Sequence, residues 1–428
     1  MDPHTPRRDS DAPYAPGLKG WPHDAPPMSR ELLAAAGWHV LDGRLPLPLA
    51  VLKRDALVHN IAWMQRFVRE RGIDLAPHGK TTMSPELFRR QLDAGAWGIT
   101  FATVTQAAVG VAAGARRVLI ANQVLQAVEL SALVALRRDK PGLVAPFLLD
   151  SPAQLAAIEA WHTQTGAAPV DVLLELGLAG GRTGCRTDAE ALALARSARH
   201  SPAVRLIGVE CYEGLWAKGD DAADTALVDS LMQRVHALAA QAEAEGLFET
   251  DEVLVTAGGS AVYDLVAHAL RPALRRPVRA LLRAGCYVTH DDGFYRRMGQ
   301  AVHRRLGCAS GLQAALRVWC VVLSMPEPGL AVLGAGKRDV SYDMGLPVPL
   351  AVSPAGSQAT HAAPTHWAID ALNDQHAYLR LGADAAGLQV GDRVALGISH
   401  PCATFDRWRW LAVVDEDLNV VDAITTAF

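Results

Sequence analysis

The chain has 428 residues, of which 50% are apolar and 20% are charged, as in an ordinary globular protein with a large buried core. Its formal net charge of −4 provides no general basic field, so we expect no nucleic-acid partner. No apolar run reaches the ~18 residues typical of a membrane span, so we expect no membrane partner either.

The N-terminal residues predict a flexible tail and no targeting segment. Residues 1–28 are rich in proline and polar side chains, which is typical of an extended or partly disordered segment. No apolar core of a secretory signal follows the early basic residues. The six cysteines are scattered without a C-x-x-C pair, which indicates reduced thiols and a cytoplasmic protein.

From residue 49 to 299, short apolar runs alternate with amphipathic, alanine-rich stretches. The apolar runs predict buried strands at 49–53, 98–103, 117–122, 146–150, 170–176, 204–212 and 251–257. The stretches between them predict helices at 55–71, 84–94, 104–113, 126–138, 152–164, 188–199 and 222–246. This alternation predicts a parallel sheet covered by helices. About eight strands over ~240 residues is the size of a (β/α)8 barrel, with a doubly wound open sheet as the alternative.

After residue 300 the pattern changes to strands separated by glycine- and proline-rich turns. Strand-like runs lie at 315–324, 376–382, 392–400 and 409–425. Residues 300–428 therefore predict a second, mostly β domain. Residues 29–48 form a lead-in that could belong to the same β domain.

Lys80 is a candidate nucleophile. It stands between a glycine and a threonine and follows a predicted strand at 73–76. A P-loop would need a glycine where the chain has Asp74, so nucleotide binding by a P-loop is excluded. A partly desolvated lysine at the C-terminal end of a barrel strand can attack an aldehyde as a free amine. Lys80 is therefore either a Schiff-base lysine or a solvated loop lysine.

Two further strand ends carry groups that bind anions. Gly258, Gly259 and Ser260 follow a buried strand, and such a backbone nest donates N–H groups to a phosphate. Thr256 adds a hydroxyl donor. The alternative is a loop whose glycines serve only to turn the chain. Arg182 follows another strand and faces a carboxylate, a cofactor oxygen or solvent.

The C-terminal domain contains a candidate metal pair. His400 and Cys402 are two positions apart, so on a strand their side chains lie on one face. An imidazole beside a thiolate suits zinc, whereas the alternative is a satisfied histidine beside a buried free thiol. Because catalytic zinc usually takes three protein ligands, a third would come from His366, Asp374, His376, water or substrate.

Taken in order, these motifs resemble a known family. The order is P-H-x-K-T at 77–81, G-R-T-G at 181–184, Y-E-G at 212–214, A-G-G-S at 257–260, R-A-G-C-Y-V at 283–288 and H-P-C at 400–402. This set is similar to the D-serine dehydratase and D-threonine aldolase-like family of alanine-racemase-type (fold type III) pyridoxal-phosphate (PLP) enzymes. The resemblance covers about residues 30–428, and it implies a (β/α)8 barrel with a β domain, in a homodimer.

The resemblance also implies how a cofactor is held. Lys80 matches the lysine that forms a Schiff base with PLP, and Arg182 and Tyr212 match residues that line the cofactor. The stretch 258–260 matches the phosphate loop, and Tyr287 matches a tyrosine near the phosphate. His400 and Cys402 match the metal pair of the zinc-dependent dehydratases, and a divalent metal, with zinc favoured by the thiolate, is the second cofactor expected.

The activity implied is a lyase acting on small β-hydroxy D-amino acids. D-Serine dehydration to pyruvate and ammonia is the first expectation, and a D-threonine-type aldolase or a D-3-hydroxyaspartate dehydratase or aldolase is the alternative. An amino-acid racemase or a non-catalytic PLP-binding protein is less favoured. The chain has Thr82-Met83 where the family usually has His-Lys, and Ala284 in place of a proline. These differences bear on the choice of substrate more than on the use of PLP.

Overall fold

The computed structural model describes residues 14–308, 310–382 and 387–428. The first strand, β1 (Leu49–Lys53), belongs to the C-terminal domain, and the next eight form a parallel sheet. These strands are β2 (Asp74–Leu75), β3 (Ile99–Phe101), β4 (Val118–Gln123), β5 (Phe147–Leu149), β6 (Val170–Leu176), β7 (Val204–Cys211), β8 (Val253–Ala257) and β9 (Val278–Leu282). Their order in the sheet is β2-β9-β8-β7-β6-β5-β4-β3.

Hydrogen bonds between the two ends of this order close the sheet. His78, just after β2, forms a parallel bridge with Thr100 of β3. The backbone N–H of Thr100 donates to the carbonyl of Pro77 at 2.8 Å, and that of Trp97 donates to Leu75 at 2.8 Å. The predicted (β/α)8 barrel is therefore confirmed, and the open doubly wound sheet is excluded.

Helices cover the outside of the barrel. The first helix, α1 (Arg30–Ala35), precedes it, and the others are α2 (Arg54–Glu70), α3 (Pro85–Asp93), α4 (Val104–Ala112), α5 (Ala127–Asp139), α6 (Pro152–Thr165), α7 (Asp188–His200), α8 (Asp221–Ala244), α9 (Tyr263–Ala269) and α10 (Phe294–Leu306). Several begin at a serine or threonine whose hydroxyl accepts a backbone N–H, as Ser84, Thr103, Ser151 and Thr187 do. Such N-caps end the strand-to-helix loops and fix where each helix starts.

The strand at 49–53 corrects one prediction. β1 pairs antiparallel with residues 316–319 and parallel with residues 412–414, so it lies in the β domain and not in the barrel. A continuous apolar run indicates burial but not the partner strand. The eighth barrel strand is β9, which the sequence pattern did not predict.

The C-terminal domain is mostly β, as predicted. Its strands are β10 (Leu316–Glu327), β11 (Leu330–Leu333), β12 (Val348–Ser353), β13 (His361–Ala362), β14 (Ala368–Leu372), β15 (Ala377–Arg380), β16 (Arg393–Gly397), β17 (Trp410–Val414) and β18 (Val420–Thr425). One short helix, α11 (Pro401–Phe405), follows β16. In the part of the chain described, no helix combines the length and apolar character needed to cross a bilayer.

The predicted flexible tail is wrong for residues 14–28. Tyr14 and Trp21 are each 2% exposed, and their rings stack with centroids 6.2 Å apart. Trp21 also packs edge-on against Trp410. These aromatic rings bury enough apolar surface to order a proline-rich segment, while residues 1–13 lie outside the described part of the chain.

Candidate active site

A cavity of about 540 Å³ lies at the C-terminal ends of the barrel strands. Its wall includes eight of the predicted site residues: Lys80, Arg182, Tyr212, Gly258, Gly259, Ser260, His400 and Cys402. Two predicted residues, Thr256 and Tyr287, are not part of the wall. The cavity therefore joins residues of the barrel to the H-P-C segment of the β domain.

Lys80 lies in a 3-10 turn, Gly79–Thr81, that follows β2. A Cβ at Gly79 would come within 2.9 Å of Phe88 and closer still to Ile99 and Phe101, so only glycine allows the turn to approach the barrel this closely. Lys80 is exposed to the cavity, and among the described residues no group bonds its amine. The amine is free to react with a ligand in the cavity.

His78 and Glu210 are wall residues that the sequence analysis did not select. The Nδ1 of His78 and the Oε2 of Glu210 are buried and have no hydrogen-bond partner in the described structure. Burial, together with the positive charge of Lys80, holds the pKa of His78 well below its usual value, so its ring is neutral. Buried polar atoms are normally satisfied, and both of these line the cavity. The cavity is therefore built to receive a polar molecule.

A buried ion pair lies at the base of the cavity. Arg283 donates from Nη2 to Glu210 and to the carbonyl of Cys211, and from Nη1 to Thr256 at 2.8 Å. Burial raises the pKa of Glu210, and Arg283 opposes that effect. Thr256 was predicted as a phosphate donor, but its hydroxyl bonds Arg283 and the carbonyl of Leu281. Its position indicates that it orients Arg283.

The glycine loop is organised by a carboxylate. The backbone N–H groups of Gly258 and Gly259 donate to Glu213 at 3.1 and 2.7 Å. The Oγ of Ser260 accepts the N–H groups of Gly285 and Cys286 at 3.2 and 3.0 Å. The two glycine amides are thus occupied, whereas the Ser260 hydroxyl keeps its own proton to donate into the cavity.

Arg182, Tyr212 and Tyr287 have different surroundings. The guanidinium of Arg182 lies 5.3 Å from the ring centroid of Tyr212, a cation–π distance. Burial raises the pKa of Tyr212 to about 12, so its phenol stays protonated at neutral pH. Tyr287 is fully buried, and its hydroxyl accepts the Gln91 amide at 3.0 Å, so its side chain does not reach the cavity.

His400 and Cys402 are neighbours, but not on a strand. β16 ends at Gly397, and His400 is the N-cap of α11. The Nδ1 of His400 lies 2.6 Å from Oδ2 of Asp343, and the Cys402 side chain hydrogen bonds to His400. The two-residue spacing therefore brings them together through a strand-to-helix turn, because Pro401 starts a helix there.

The pKa values of this pair shift in opposite directions. Burial lowers the pKa of His400, but hydrogen bonds and charges from Cys402 and Asp343 outweigh burial and raise it to about 9. A hydrogen bond from Cys286 is the largest cause that holds the pKa of Cys402 well below its usual value. The arrangement therefore favours a thiolate at Cys402.

The predicted third metal ligands lie elsewhere. His366 bonds the carbonyl of Leu381 at 3.0 Å, Asp374 lies 3.6 Å from Arg338, and neither they nor His376 line the cavity. Within the described residues, no three His, Cys, Asp or Glu side chains are placed to hold a metal together. The protein would thus supply two donors, and water or substrate the rest.

Comparisons with known proteins agree with this geometry. Residues 52–286 match the family model "Alanine racemase, N-terminal domain", and residues 315–414 match "Putative serine dehydratase domain". The first match alone spans more than half of the chain. The chain belongs to the alanine-racemase-type, fold type III family. The resemblance predicted from the motifs is confirmed, and within this family the chain belongs with the PLP-dependent lyases that act on hydroxy D-amino acids.

Individual relatives align with most of the chain. This chain is 28% identical over 371 residues to D-threonine aldolase of Arthrobacter sp, and the alignment covers 87% of this chain and 89% of that protein. It is 29% identical over 389 residues to D-threo-3-hydroxyaspartate dehydratase of Delftia sp. (strain HT23), covering 84% and 92%. The structure of D-threonine aldolase from Filomicrobium marinum aligns with a TM-score of 0.75 at 23% identity, covering 90% and 95%.

The wall of the cavity fits PLP. The amine of Lys80, which no described group bonds, can form a Schiff base. The buried Nδ1 of His78 and Oε2 of Glu210 have no hydrogen-bond partner in the described structure and can bond a polar ligand. A Cβ at Gly259 would lie 3.0 Å from the Tyr212 ring, so the glycine keeps space open beside the ring. Ser260 remains as the phosphate donor of the predicted loop. The chemistry of the cavity therefore suits an aldehyde with an anionic group.

The metal pair also fits. Asp343 holds the Nδ1 of His400, which leaves Nε2 as the ring nitrogen that can bind a metal. A carboxylate behind a metal-binding histidine fixes its tautomer and raises its basicity. With the Cys402 sulfur alongside, the donor set suits a borderline-soft cation such as zinc.

Proposed function

We propose that this protein is a PLP- and metal-dependent lyase that removes the β-hydroxyl group of D-serine, giving pyruvate and ammonia. One observation carries the proposal: Lys80 and the pair His400 and Cys402 line the same cavity. A lysine suited to hold PLP and two donors suited to hold a metal thus face one substrate-sized space. Elimination of a β-hydroxyl uses both, because it needs a base at the α-carbon and a Lewis acid at the poor leaving group.

The residues of the chain would divide the work. Bound PLP supplies an electron sink for the α-carbon, and a zinc ion held by His400 and Cys402 would supply Lewis acidity at the β-hydroxyl. Lys80, which lines the cavity, would take the α-proton of the substrate on Nζ. Asp343 keeps the His400 ring in one tautomer. Ser260 donates its hydroxyl to an oxygen of the bound molecule.

An aldolase is the second candidate, and a specific observation favours it. The Arthrobacter relative that covers 87% of this chain is a D-threonine aldolase. The same cavity would serve if a base removed the β-hydroxyl proton and the Cα–Cβ bond broke. The thiolate at Cys402 supports dehydration, since the sequence resemblance associates His-x-Cys with the dehydratases.

The proposal also covers the substrate's size, the assembly and the location. The family resemblance supports a homodimer and a small D-amino acid as the substrate. The six cysteines, which are all free thiols, support the cytoplasm as the location. Light scattering of the purified chain checks the dimer. A monomeric mass under assay conditions would contradict it.

The deciding experiment is a substrate panel with two separate product assays. D-Serine, D-threonine and D-threo-3-hydroxyaspartate are each tested for keto acid and for aldehyde, with the L-enantiomers as matched controls. We expect keto acid from D-serine and no turnover of L-serine. Aldehyde without keto acid would replace the dehydratase by the aldolase. Turnover confined to D-threo-3-hydroxyaspartate would reassign the substrate.

A further inference from the structure

Two cysteine thiols meet in the wall of the cavity. The Sγ atoms of Cys286 and Cys402 lie 3.6 Å apart, although the residues are 116 positions apart in sequence. Cys286 lies in the 3-10 turn Cys286–Val288 that follows β9, and Cys402 lies in the first turn of α11. The barrel and the β domain therefore each contribute one thiol to this contact.

The other cysteines of the described chain have different partners. Cys185 donates to the carbonyl of Asp150, and Cys320 donates to that of Val394. Cys211 contacts the sulfur of a methionine, and Cys308 is half-buried after α10. Among the described residues, the contact of Cys286 with Cys402 is thus the one place where two thiols touch.

Both thiols can be reached from the cavity. Each lines its wall, Cys402 is partly exposed, and Cys286 is 4% exposed. Cys402 is therefore the more accessible of the two thiols, and the sulfur of Cys286 lies 3.6 Å from its sulfur. A disulfide has a sulfur–sulfur length of about 2.05 Å, so the two sulfur atoms must approach each other by roughly 1.5 Å. Rotation of the two cysteine side chains, each of which lies in a short helical turn, can supply this movement.

We propose that Cys286 and Cys402 form a reversible disulfide across the two domains. The co-reactant is a small disulfide such as glutathione disulfide. Cys402, as its thiolate, attacks one sulfur and releases one glutathione, which takes up the proton that Cys402 lost. Cys286 then gives up its proton and attacks the Cys402 sulfur, displacing the second glutathione, which takes that proton. Two cysteine thiols lose two electrons in total, and one glutathione disulfide becomes two glutathione thiols.

The disulfide would remove a metal donor. A metal binds the thiolate of a cysteine, and a sulfur in a disulfide no longer provides one. The cross-link would therefore leave His400 without its neighbouring donor. This consequence rests on the proposed metal role of Cys402, whereas the disulfide itself does not.

Thiol counting on the full-length protein tests the disulfide. The metal-stripped protein is incubated with glutathione disulfide, denatured under acid, and its free thiols are counted and mapped by peptide mass spectrometry without reduction. We expect two of the six thiols to be lost, a cross-linked peptide pair that contains Cys286 and Cys402, and full recovery with dithiothreitol. No cross-linked pair, or a pair that involves another cysteine, would overturn the proposal.

Variants separate the pair from nonspecific oxidation. Cys286→Ser should stop oxidation at a mixed disulfide of Cys402 with glutathione. Cys308→Ser, which changes a cysteine outside the cavity wall, should still form the cross-link. Circular dichroism of each variant reports whether it folds. Persistence of an intramolecular cross-link at Cys402 in folded Cys286→Ser would also overturn the proposal.

Zinc retention tests the consequence independently. After exposure to zinc and desalting, the oxidised wild-type protein should retain at least about tenfold less zinc than the reduced protein. Equal retention in the two states would overturn the claim that the cross-link removes a donor. If the reduced protein bound no zinc while the cross-link still formed, the proposed metal site would be wrong and the disulfide would stand.

Discussion

The sulfur of Cys402 lies within hydrogen-bonding distance of Oγ1 of Thr81, at 3.4 Å, across 321 positions of sequence. Thr81 is adjacent to Lys80 in the same 3-10 turn. The β domain thereby places its thiol directly beside the lysine turn of the barrel. Neither domain contains the complete site, so their docking assembles it.

Lys80→Ala should abolish the Schiff base with PLP. The variant should lack the yellow absorbance of PLP-reconstituted protein and lose at least about 10²-fold in turnover, because the α-proton would have no base. Absorbance spectra and keto-acid assays measure the two effects. Lys140→Ala, which changes an exposed lysine at the end of α5, is the control and should retain both. A Lys80→Ala protein that remains yellow and active would rule out this assignment.

Asp343→Asn should weaken the metal site without affecting PLP. The carboxylate accepts from Nδ1 of His400 at 2.6 Å, and loss of such a partner typically lowers metal affinity about 10–100-fold. Zinc titration with a competing chelator measures the change, while PLP absorbance should stay constant. Asp374→Asn, an exposed carboxylate beside Arg338, is the matched control. Equal zinc affinity of the two variants would exclude Asp343 from the site.

Metal removal should stop turnover while PLP remains bound. His400 and Cys402 line the same cavity as Lys80, and a hydroxyl leaves poorly without a Lewis acid. The chelated protein should keep its absorbance and regain activity on addition of zinc. Elemental analysis verifies the loss of metal. Full activity in protein shown to be metal-free would reject the metal-assisted elimination.

Glu213→Ala should lower PLP affinity at least about tenfold, because it removes the two hydrogen bonds that hold the glycine loop in place. Each hydrogen bond to a charged group contributes about 1.5–3 kcal/mol. The carboxylate holds the amides of Gly258 and Gly259, and without it the loop before Ser260 loses its fixed conformation. Fluorescence titration with PLP measures the affinity. Glu213→Gln keeps one acceptor oxygen and should give an intermediate value. Wild-type affinity in the alanine variant would show that the carboxylate does not position the loop.

Asp291 should make stability fall as pH rises. Its Oδ1 accepts the N–H groups of Gly293, Tyr295 and Arg296, and its buried Oδ2 has no partner in the described structure. Burial raises the pKa of Asp291 from 3.8 to about 7. The folded state therefore holds this proton more tightly than the unfolded state. The resulting stability is complete below about pH 4 and is lost as pH rises through about 7.

Urea midpoints at about pH 5 and about pH 8 test this contribution. Between these two pH values, the free energy of unfolding should fall less in Asp291→Asn than in the wild type, by on the order of a few kcal/mol. The asparagine keeps the Oδ1 acceptor but has no proton to lose. Other titrating groups are common to both proteins, so the difference isolates Asp291. The same pH dependence in wild type and variant would contradict the raised pKa.

Much of the barrel was predictable because its information is local. Helices 152–164 and 188–199 were predicted within about one residue of α6 and α7, since amphipathic periodicity and N-caps act over a few positions. The same periodicity could not assign 49–53 to its sheet. An apolar run records that a strand is buried, and the pairing with β10 and β17 is decided by distant residues.

For the site, the sequence by itself determined which chemical groups are present: a lysine after a strand, a glycine loop, and a histidine beside a cysteine. Only the tertiary structure decided what each group faces. In the folded protein, the amides of Gly258 and Gly259 donate hydrogen bonds to Glu213, and Thr256 accepts one from Arg283. The sulfur of Cys402 contacts that of Cys286. These contacts join residues 27 to 116 positions apart. The physical reason is that short-range patterns encode burial and turns, whereas contacts between distant segments arise only when the barrel closes and the β domain docks on it.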